Sequence, residues 1–254
     1  MLTLGSLFAG IGGIELGLER TGGFRTVWQV ENDPFACRVL AKHWPSVRRH
    51  DDVRTFPPGP ADDWRCDLVC GGFPCQDISR AGRKAGIGGP SSGLWGDFAT
   101  AVGVLRPRFV LVENTPSLLV RGMSVVLGDL AALGYDAEWD CLPAASFGAP
   151  HIRDRLFLLA YRRDAFWNPA VHDSLRGRYR APEKTVFAGR GSLELSSWWA
   201  REPGVARMVH GLPRGLDRSR RDRVRALGNA VVPQVAEHIG RRILDSLKGR
   251  IERC

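Results

Sequence analysis

The sequence lacks the long apolar runs and paired cysteines that mark membrane and secreted proteins. No apolar run reaches the roughly 18 residues that a membrane span needs. The start, MLTLGSLFAG, has no basic residue before its apolar stretch, unlike a secretory signal. Six cysteines scattered over 254 residues are too few for a disulfide framework. We therefore expect a cytoplasmic protein with reduced thiols and no membrane contact.

Cysteines with the spacing of zinc ligands are also missing. Cys66, Cys70 and Cys75 stand four and five positions apart, whereas zinc knuckles place two residues between their cysteines. No His-x-His pair follows them. These patterns predict no metal cofactor.

Lysine is scarce, so arginine carries most of the positive charge. Only four of the 36 basic residues are lysines, and the net charge is +9. Residues 1–152 contain 14 basic and 16 acidic side chains, whereas residues 153–254 contain 22 and 11. Guanidinium groups suit phosphates and guanine edges, so the C-terminal part favours a nucleic-acid partner. The alternative is codon bias in a GC-rich genome together with a solvated basic face.

Strand-like and helix-like segments alternate through residues 2–162. This alternation predicts βαβ units, and hence an α/β fold with a doubly wound, mainly parallel, Rossmann-like sheet. The glycines and small polar residues of 76–92 predict a long loop. We expect three parts: a main domain at 1–162, a small region at 163–210, and a C-terminal segment, 211–254, whose amphipathic helix (233–247) returns to the main domain.

The segment FAGIGG (8–13) ends a predicted strand and opens a predicted helix. Its glycines permit a tight turn and a close approach of the backbone to a ligand such as NAD, FAD or S-adenosylmethionine, although the turn could simply connect two elements. Glu31 follows the second strand, where a carboxylate can accept hydrogen bonds from both ribose hydroxyls. Asp52 could hold an adenine amino group or be one of two neighbouring surface acids.

The segment FPCQ (73–76) places a cysteine just after a buried strand. Open α/β sheets bind ligands at the carboxyl ends of their strands, and Pro74 restricts the local backbone. A thiol is intrinsically very nucleophilic, which makes Cys75 a candidate nucleophile. Cys70 lies inside the apolar run and is most simply a core residue.

Two further polar motifs flank later strands. Glu113 ends the strand at 108–113 and should emerge on the same rim as Cys75, where burial could hold it partly protonated as a general acid. A capping or solvent-facing glutamate is the alternative. In HIRDR (151–155), Arg153 and Arg155 are two positions apart on an extended segment, so both face one side and could clamp an anion or a carbonyl oxygen; otherwise they form a solvated edge.

Together these motifs resemble those of the C5-cytosine-specific DNA methyltransferase family of bacteria and phages. FAGIGG is similar to the family's cofactor loop, GFPCQ to its nucleophile motif, ENT to its glutamate motif, HIRDR to its Gln-x-Arg-x-Arg motif, and GNAVVP (228–233) to its final block. The five motifs follow the family's order. His151 replaces the usual glutamine, and the segment at 202–217 is a candidate for an arginine motif that is absent in its usual form.

The resemblance implies a S-adenosylmethionine-dependent methyltransferase fold with a small target-recognition lobe at 163–210. It implies methyl transfer to C5 of a flipped-out cytosine in double-stranded DNA, through a covalent adduct of Cys75 at C6. Glu113 would contact N3 and the exocyclic amine, and Arg155, with Arg153 behind it, would stabilise charge at O2. The implied cofactor residues are Phe8, Ala9, Gly10, Ile11, Gly13, Glu31, Asp52, Val53, Pro74, Leu94, Asn229 and Ala230.

The resemblance leaves other readings open. One branch of the family methylates cytosine in transfer RNA, and a catalytically inactive DNA-binding homologue is a further alternative, which an intact Cys75, Glu113 and Arg155 disfavour. A nicotinamide-dependent oxidoreductase would use only the glycine turn and Glu31. We expect a monomer that acts on double-stranded DNA, with a cognate restriction endonuclease as a possible partner system.

Overall fold

The computed structural model describes residues 1–74, 93–149, 151–164 and 220–248, without the side chains of Arg220 and Lys248. The strands are β1 (Leu2–Leu7), β2 (Phe24–Val30), β3 (Arg48–His50), β4 (Leu68–Gly71), β5 (Phe109–Asn114), β6 (Tyr135–Pro143) and β7 (Asp154–Arg162). The helices are α1 (Gly13–Arg20), α2 (Pro34–His43), α3 (Gly93–Leu105), α4 (Leu118–Arg121), α5 (Met123–Ala132), α6 (Arg220–Asn229) and α7 (Pro233–Lys248). Single turns of 3₁₀-helix occupy Val53–Thr55, Ala61–Trp64 and Ala144–Phe147.

The described strands form one seven-stranded sheet in the order β3-β2-β1-β4-β5-β7-β6. Neighbouring strands are parallel except for β7, which runs antiparallel to both β5 and β6. The predicted doubly wound, mainly parallel α/β fold is therefore confirmed. The strand order reverses between β1 and β4, and such a switch point is where open α/β sheets bind ligands.

Both faces of the sheet are covered by helices, which explains the continuous apolar runs of its central strands. Every residue of β4 and β5 is buried. One face packs Leu7, Trp28 and Val112 with residues of α3 and α5. The other face packs Leu4, Leu68 and Leu111 with residues of α1 and α7.

Helix α7 packs closely against α1, as its amphipathic pattern predicts. Its buried residues recur every three or four positions and include Val235, Ile239 and Ile243. A Cβ atom on Gly17 of α1 would lie 2.2 Å from the carbonyl oxygen of Pro233, so only glycine allows this approach. The end of the chain that the structure describes therefore lies on the first helix of the sheet domain.

Three elements differ from the pattern seen in the sequence. The apolar run at 117–133 predicts one helix, but the structure has α4 and α5 separated at Gly122, whose φ of −175° is extended. Strand β3 has three residues, all polar, and gives no alternating pattern. Helix α6 is dominated by arginines and has no apolar face that sequence periodicity could detect.

A buried carboxyl lies between α1 and the sheet. Glu15 is 1% exposed, and its Oε1 atom accepts a 3.4 Å hydrogen bond from Nε2 of Gln29. Burial raises the pKa of Glu15 from 4.5 to about 7. Because the folded state prefers the neutral carboxyl, this group's contribution to stability is full below pH 4.5 and is lost as the pH rises through about 7.

We expect Glu15→Gln to make the protein less sensitive to alkaline pH. Glutamine keeps the shape of the side chain and cannot ionise. The free energy of unfolding of the variant, relative to wild type, should rise by about 3 kcal/mol between pH 4.5 and pH 8. Urea unfolding at several pH values measures this difference. Asp62→Asn, which removes an exposed carboxyl, is the control for the loss of one ionisable side chain. A pH-independent difference for Glu15→Gln would contradict the assignment.

Candidate active site

The sequence motifs meet along one edge of the sheet. Strands β1, β2, β4 and β5 are parallel, so their carboxyl ends lie together. Strand β7 is antiparallel to β5 and begins at this same edge, with Leu156 paired to Asn114. The glycine turn, Glu31, the segment before Cys75, Glu113 and Arg155 therefore belong to one rim.

The turn after β1 is open on one side and fixed on the other. Phe8, Gly10 and Gly12 have φ values of 53°, 57° and 86°, and a Cβ atom on Gly10 would meet no heavy atom within 4 Å. The Ala9 amide donates to the carbonyl oxygen of Val30 at 3.1 Å. The turn thus presents its backbone at Gly10 without a side chain in the way.

Glu31 is oriented by two backbone amides. Its Oε2 atom accepts a 2.7 Å hydrogen bond from the Gly10 amide, and its Oε1 atom accepts a 2.8 Å hydrogen bond from the Asp33 amide. Each carboxylate oxygen can accept more than one hydrogen bond, so Glu31 retains acceptor capacity for hydroxyl groups. Its position at the end of β2 is the one that the sequence predicts for a ribose-binding acid.

Asp52 and Val53 follow the short strand β3. The Asp52 carboxylate accepts from the Arg54 amide at 3.0 Å and from Nη2 of Arg54 at 2.8 Å. The Arg54 side chain holds the pKa of Asp52 below its ordinary value. Val53 is buried in the core. An adenine at Asp52 would therefore have to share this carboxylate with Arg54.

The remaining predicted cofactor residues lie in the turn after β1, on α1 and α3, and at the end of α6. Leu94 and Phe8 are partly buried against the same core cluster. Gly13 begins α1 so close to the segment between α6 and α7 that a Cβ atom on it would lie 2.4 Å from the carbonyl oxygen of Val231. Asn229 ends α6, and the Ala230 amide donates to the carbonyl oxygen of Ala226 at 2.9 Å. Ile11 lies within the turn.

Glu113 is the buried acid of the rim. It is 8% exposed, and its Oε1 atom lies 3.2 Å from Nε of Arg155. A Cβ atom on Gly72 would lie 2.5 Å from the other oxygen, Oε2, so the carboxyl rests directly on the backbone that leads towards Cys75. Burial raises the pKa of Glu113 to about 7, although the charges of Arg155 and Arg153 act in the opposite direction. The carboxyl can therefore hold a proton near neutral pH.

The two arginines of HIRDR make different contacts. Arg155 is ion-paired with Glu113, and its Nη1 atom donates to the carbonyl oxygen of Asp154 at 2.7 Å. Arg153 has a φ of 32°, unusual for a residue with a side chain, and its Nη1 atom donates to the carbonyl oxygen of Gly228 at 2.8 Å. Burial, followed by the charge of Arg155, lowers the pKa of Arg153. Arg153 thus ties the rim to the end of α6.

Asn114 and Gly72 are site residues that the sequence analysis did not single out. Nδ2 of Asn114 donates to the carbonyl oxygen of Phe73 at 3.0 Å inside the protein, which ties the nucleophile motif to the end of β5. Phe73 packs on Trp95 with ring centroids 5.2 Å apart. The signal was present as the glycine pair before FPC and the asparagine in ENT.

Cys75 lies outside the described residues, as do the loop at 76–92 and the segment at 202–217. The described chain stops at Pro74, which is exposed. Burial raises the pKa of each of the four cysteines that the structure describes, Cys37, Cys66, Cys70 and Cys141. None of these four thiols is therefore favoured as a thiolate at neutral pH.

Neither a metal cluster nor a membrane-spanning helix occurs in the parts of the chain that the structure describes. No three His, Cys, Asp or Glu side chains of residues 1–74, 93–149, 151–164 and 220–248 are grouped as metal ligands. Within the same ranges, every helix is too short or too polar to cross a bilayer.

This rim is the carboxyl edge of a doubly wound α/β sheet, at the switch point where such sheets generally bind ligands. A profile described as C-5 cytosine-specific DNA methylase matches residues 2–189. The chain belongs to this family, as its five motifs predict.

Individual proteins agree with this assignment over part of their length. The chain is 41% identical over 163 residues to Type II methyltransferase M2.BsuMI of Bacillus subtilis (strain 168), covering 61% of the chain and 41% of that protein. It is 30% identical to Type II methyltransferase M.NgoFVII of Neisseria gonorrhoeae, covering 63% and 43%. The match thus spans about two fifths of the length of these relatives. The crystal structure of the S. pombe Dnmt2 methyltransferase shares the fold, with a TM-score of 0.57 and 21% identity over 75% of the chain and 59% of that structure.

Proposed function

We propose that this protein transfers a methyl group to C5 of cytosine in a specific sequence of double-stranded DNA. The observation that carries the proposal is the buried carboxyl of Glu113, which pairs with the partly exposed Arg155 and rests on Gly72 at the end of the strand that leads to GFPCQ. A carboxyl with a pKa near 7 can donate a proton to a pyrimidine ring, and the guanidinium beside it can stabilise negative charge on the same ring.

The rim fits S-adenosylmethionine as the cofactor. The open glycine turn gives space for a ligand against the backbone of Gly10, and Glu31 is held with acceptor capacity for ribose hydroxyls. Asp52 offers an acceptor for the adenine amine if it shares its oxygens with Arg54. When bound, S-adenosylmethionine supplies an electrophilic methyl group on a sulfonium. No metal takes part in the proposed reaction.

Cys75 is the proposed nucleophile. Its thiolate forms a bond to C6 of cytosine, and the electron pair of the C5–C6 double bond is displaced into the ring. Glu113 donates its proton to N3 as this bond forms, and Arg155, with Arg153 behind it, stabilises negative charge at O2. The displaced electrons make C5 nucleophilic, so it can accept the methyl group; the bond from that methyl to the sulfonium sulfur breaks, and S-adenosylhomocysteine is the product.

The second half of the reaction restores the base and the thiol. C5 loses its proton to a solvent water molecule, the electron pair of the C5–H bond re-forms the C5–C6 double bond, and the bond from C6 to sulfur breaks with its electron pair returning to the Cys75 thiolate. The proton on N3 returns to Glu113. Neither half can occur inside a stacked duplex, so the target cytosine must be flipped out at a cost of a few kcal/mol.

The charge distribution supports DNA as the substrate. Residues 153–254 carry 22 basic and 11 acidic side chains, which suits contacts with phosphates and with the major groove. We assign target recognition to residues 163–210, which lie almost wholly outside the described residues. The packing of α7 on α1 supports the assignment of 211–254 to the catalytic domain of 1–162. The names of the Type II relatives support a restriction–modification system with a cognate endonuclease.

Incubation with radiolabelled S-adenosylmethionine tests this proposal. We expect the purified protein to label duplex DNA, and bisulfite sequencing of DNA from cells that express the chain to locate the methylated cytosines. Transfer RNA is the matched second substrate, because an unstacked loop base is easier to reach. If transfer RNA is labelled as strongly as duplex DNA or more strongly, transfer RNA and not DNA is the substrate. No labelling of either nucleic acid, with cofactor bound, would contradict the activity.

A further inference from the structure

Arg225 of helix α6 contacts the loop that follows β2, on the cofactor side of the rim. Arg225 forms an ion pair with Asp33, which lies 192 positions away along the chain. Asp222, one turn before Arg225, lies 3.6 Å from the same guanidinium nitrogen and helps to orient it. This contact joins the C-terminal segment to the loop between β2 and α2.

Hydrogen bonds through Glu31 connect Asp33 to the glycine turn. Its amide donates to Oε1 of Glu31 at 2.8 Å, and Oε2 of Glu31 accepts from the Gly10 amide at 2.7 Å. A continuous series of three polar contacts therefore runs from Arg225 through Asp33 and Glu31 to Gly10. Movement of Asp33 would move the acceptor that holds the turn.

The two oxygens of Asp33 have separate tasks. Oδ1 caps α2 by accepting hydrogen bonds from the Phe35 and Ala36 amides at 2.9 and 3.0 Å, whereas Oδ2 receives Arg225. Loss of Arg225 would therefore leave the cap in place. Asparagine at position 33 would also keep a capping oxygen while removing the charge that attracts Arg225.

The other end of α6 is fixed independently. The carbonyl oxygen of Gly228 accepts from Arg153, and the backbone of Val231 abuts Gly13. These contacts hold the helix when the ion pair is broken. The ion pair is partly exposed, with side-chain exposures of 60% for Arg225 and 29% for Asp33, so its contribution to global stability is small.

We propose that Arg225 is a positioning residue for the cofactor site. It holds Asp33, and through Asp33 it fixes Glu31 and the turn at Gly10 in the arrangement that binds the cofactor ribose. The inference rests on the proposed function, since it assigns Arg225 to the cofactor site of the methyltransferase. An ordinary surface ion pair would leave the turn unchanged when it is removed.

Calorimetric binding of S-adenosylhomocysteine and hydrogen exchange of the Gly10 amide in the ligand-free protein test this proposal. Arg225→Ala should bind about threefold to fivefold more weakly, and its Gly10 amide should exchange faster by a similar factor. Asp33→Asn should match it, and the double variant should lose no more than either single variant. Arg225→Lys should recover part of the affinity, because it keeps the charge.

Arg221→Ala is the matched control, since Arg221 is an exposed arginine on the same helix. It should leave affinity, Gly10 exchange and the unfolding midpoint at their wild-type values. Unchanged affinity and exchange in Arg225→Ala would overturn the inference, as would an equal loss in Arg221→Ala or a fall in the unfolding midpoint that accounts for the weaker binding. Wild-type protein that fails to bind S-adenosylhomocysteine would overturn the proposed function instead.

Discussion

Cys75→Ser should reduce methyl transfer to DNA by roughly a thousandfold or more. A serine hydroxyl is almost the size of a thiol but is far more weakly acidic, so it supplies almost no anion to attack C6 at neutral pH. Without the bond to C6, C5 stays part of an aromatic ring and is a poor nucleophile. Transfer of labelled methyl to duplex DNA, measured under single-turnover conditions, gives the ratio of the two rates.

The matched control is Cys70→Ser, which alters a buried thiol of β4 whose pKa burial raises well above its ordinary value. Cys70→Ser should lower the stability of the fold without slowing methyl transfer. The fraction of this variant that remains folded should therefore transfer methyl at the wild-type rate. Cys75→Ser should still bind S-adenosylhomocysteine with wild-type affinity. Residual activity above about a tenth of wild type in Cys75→Ser would rule out Cys75 as the covalent catalyst.

Glu113→Gln should reduce the same rate by roughly a hundredfold to a thousandfold. Glutamine preserves the shape of the side chain but cannot pass a proton to N3. The pH dependence adds a signature. Glu113 has a pKa of about 7, so its protonated form is lost as the pH rises through that value. The ratio of wild-type to variant kcat/KM should be constant below about pH 7 and fall about tenfold for each pH unit above it.

Formation of the Cys75 thiolate makes kcat/KM rise with pH in both proteins. This rise cancels in the ratio of the wild-type value to the Glu113→Gln value, so the ratio reports the proton on Glu113 alone. Glu138→Gln is the matched control, because burial likewise raises the pKa of Glu138 to about 7 but the residue lies on β6, away from the rim. It should show no loss of transfer. A wild-type to Glu113→Gln ratio that stays flat up to pH 9 would exclude Glu113 as the proton donor.

Most of the fold could be predicted from the sequence because its signals are local. Strand β4 is apolar, β5 is apolar up to Glu113, and α7 repeats its buried residues every three or four positions. The sequence did not predict the break at Gly122, the strand β3 or the helix α6, and the reason is the same for all three. Each is short or polar, so its conformation is decided by what it packs against and not by its own pattern.

The sequence could predict which residues of the candidate site lie at the rim. It could not predict the contacts that these residues make with one another. A motif that ends a parallel strand must point to the carboxyl edge, which is how Glu31 and Glu113 could be located. The contact of Glu113 with Gly72 and the pairing of Arg225 with Asp33 depend on how distant segments meet. No spacing rule could reveal them, because the second pair is separated by 192 positions.

Trapping the protein on DNA that contains 5-fluorocytosine tests the central claim most directly. Fluorine at C5 cannot leave as a proton does, so the bond between sulfur and C6 should persist after methyl transfer. With S-adenosylmethionine present, mass spectrometry of the digested complex should find the modified base on the peptide that contains Cys75. A protein that methylates ordinary DNA yet forms no adduct, or forms one at another residue, would contradict the account.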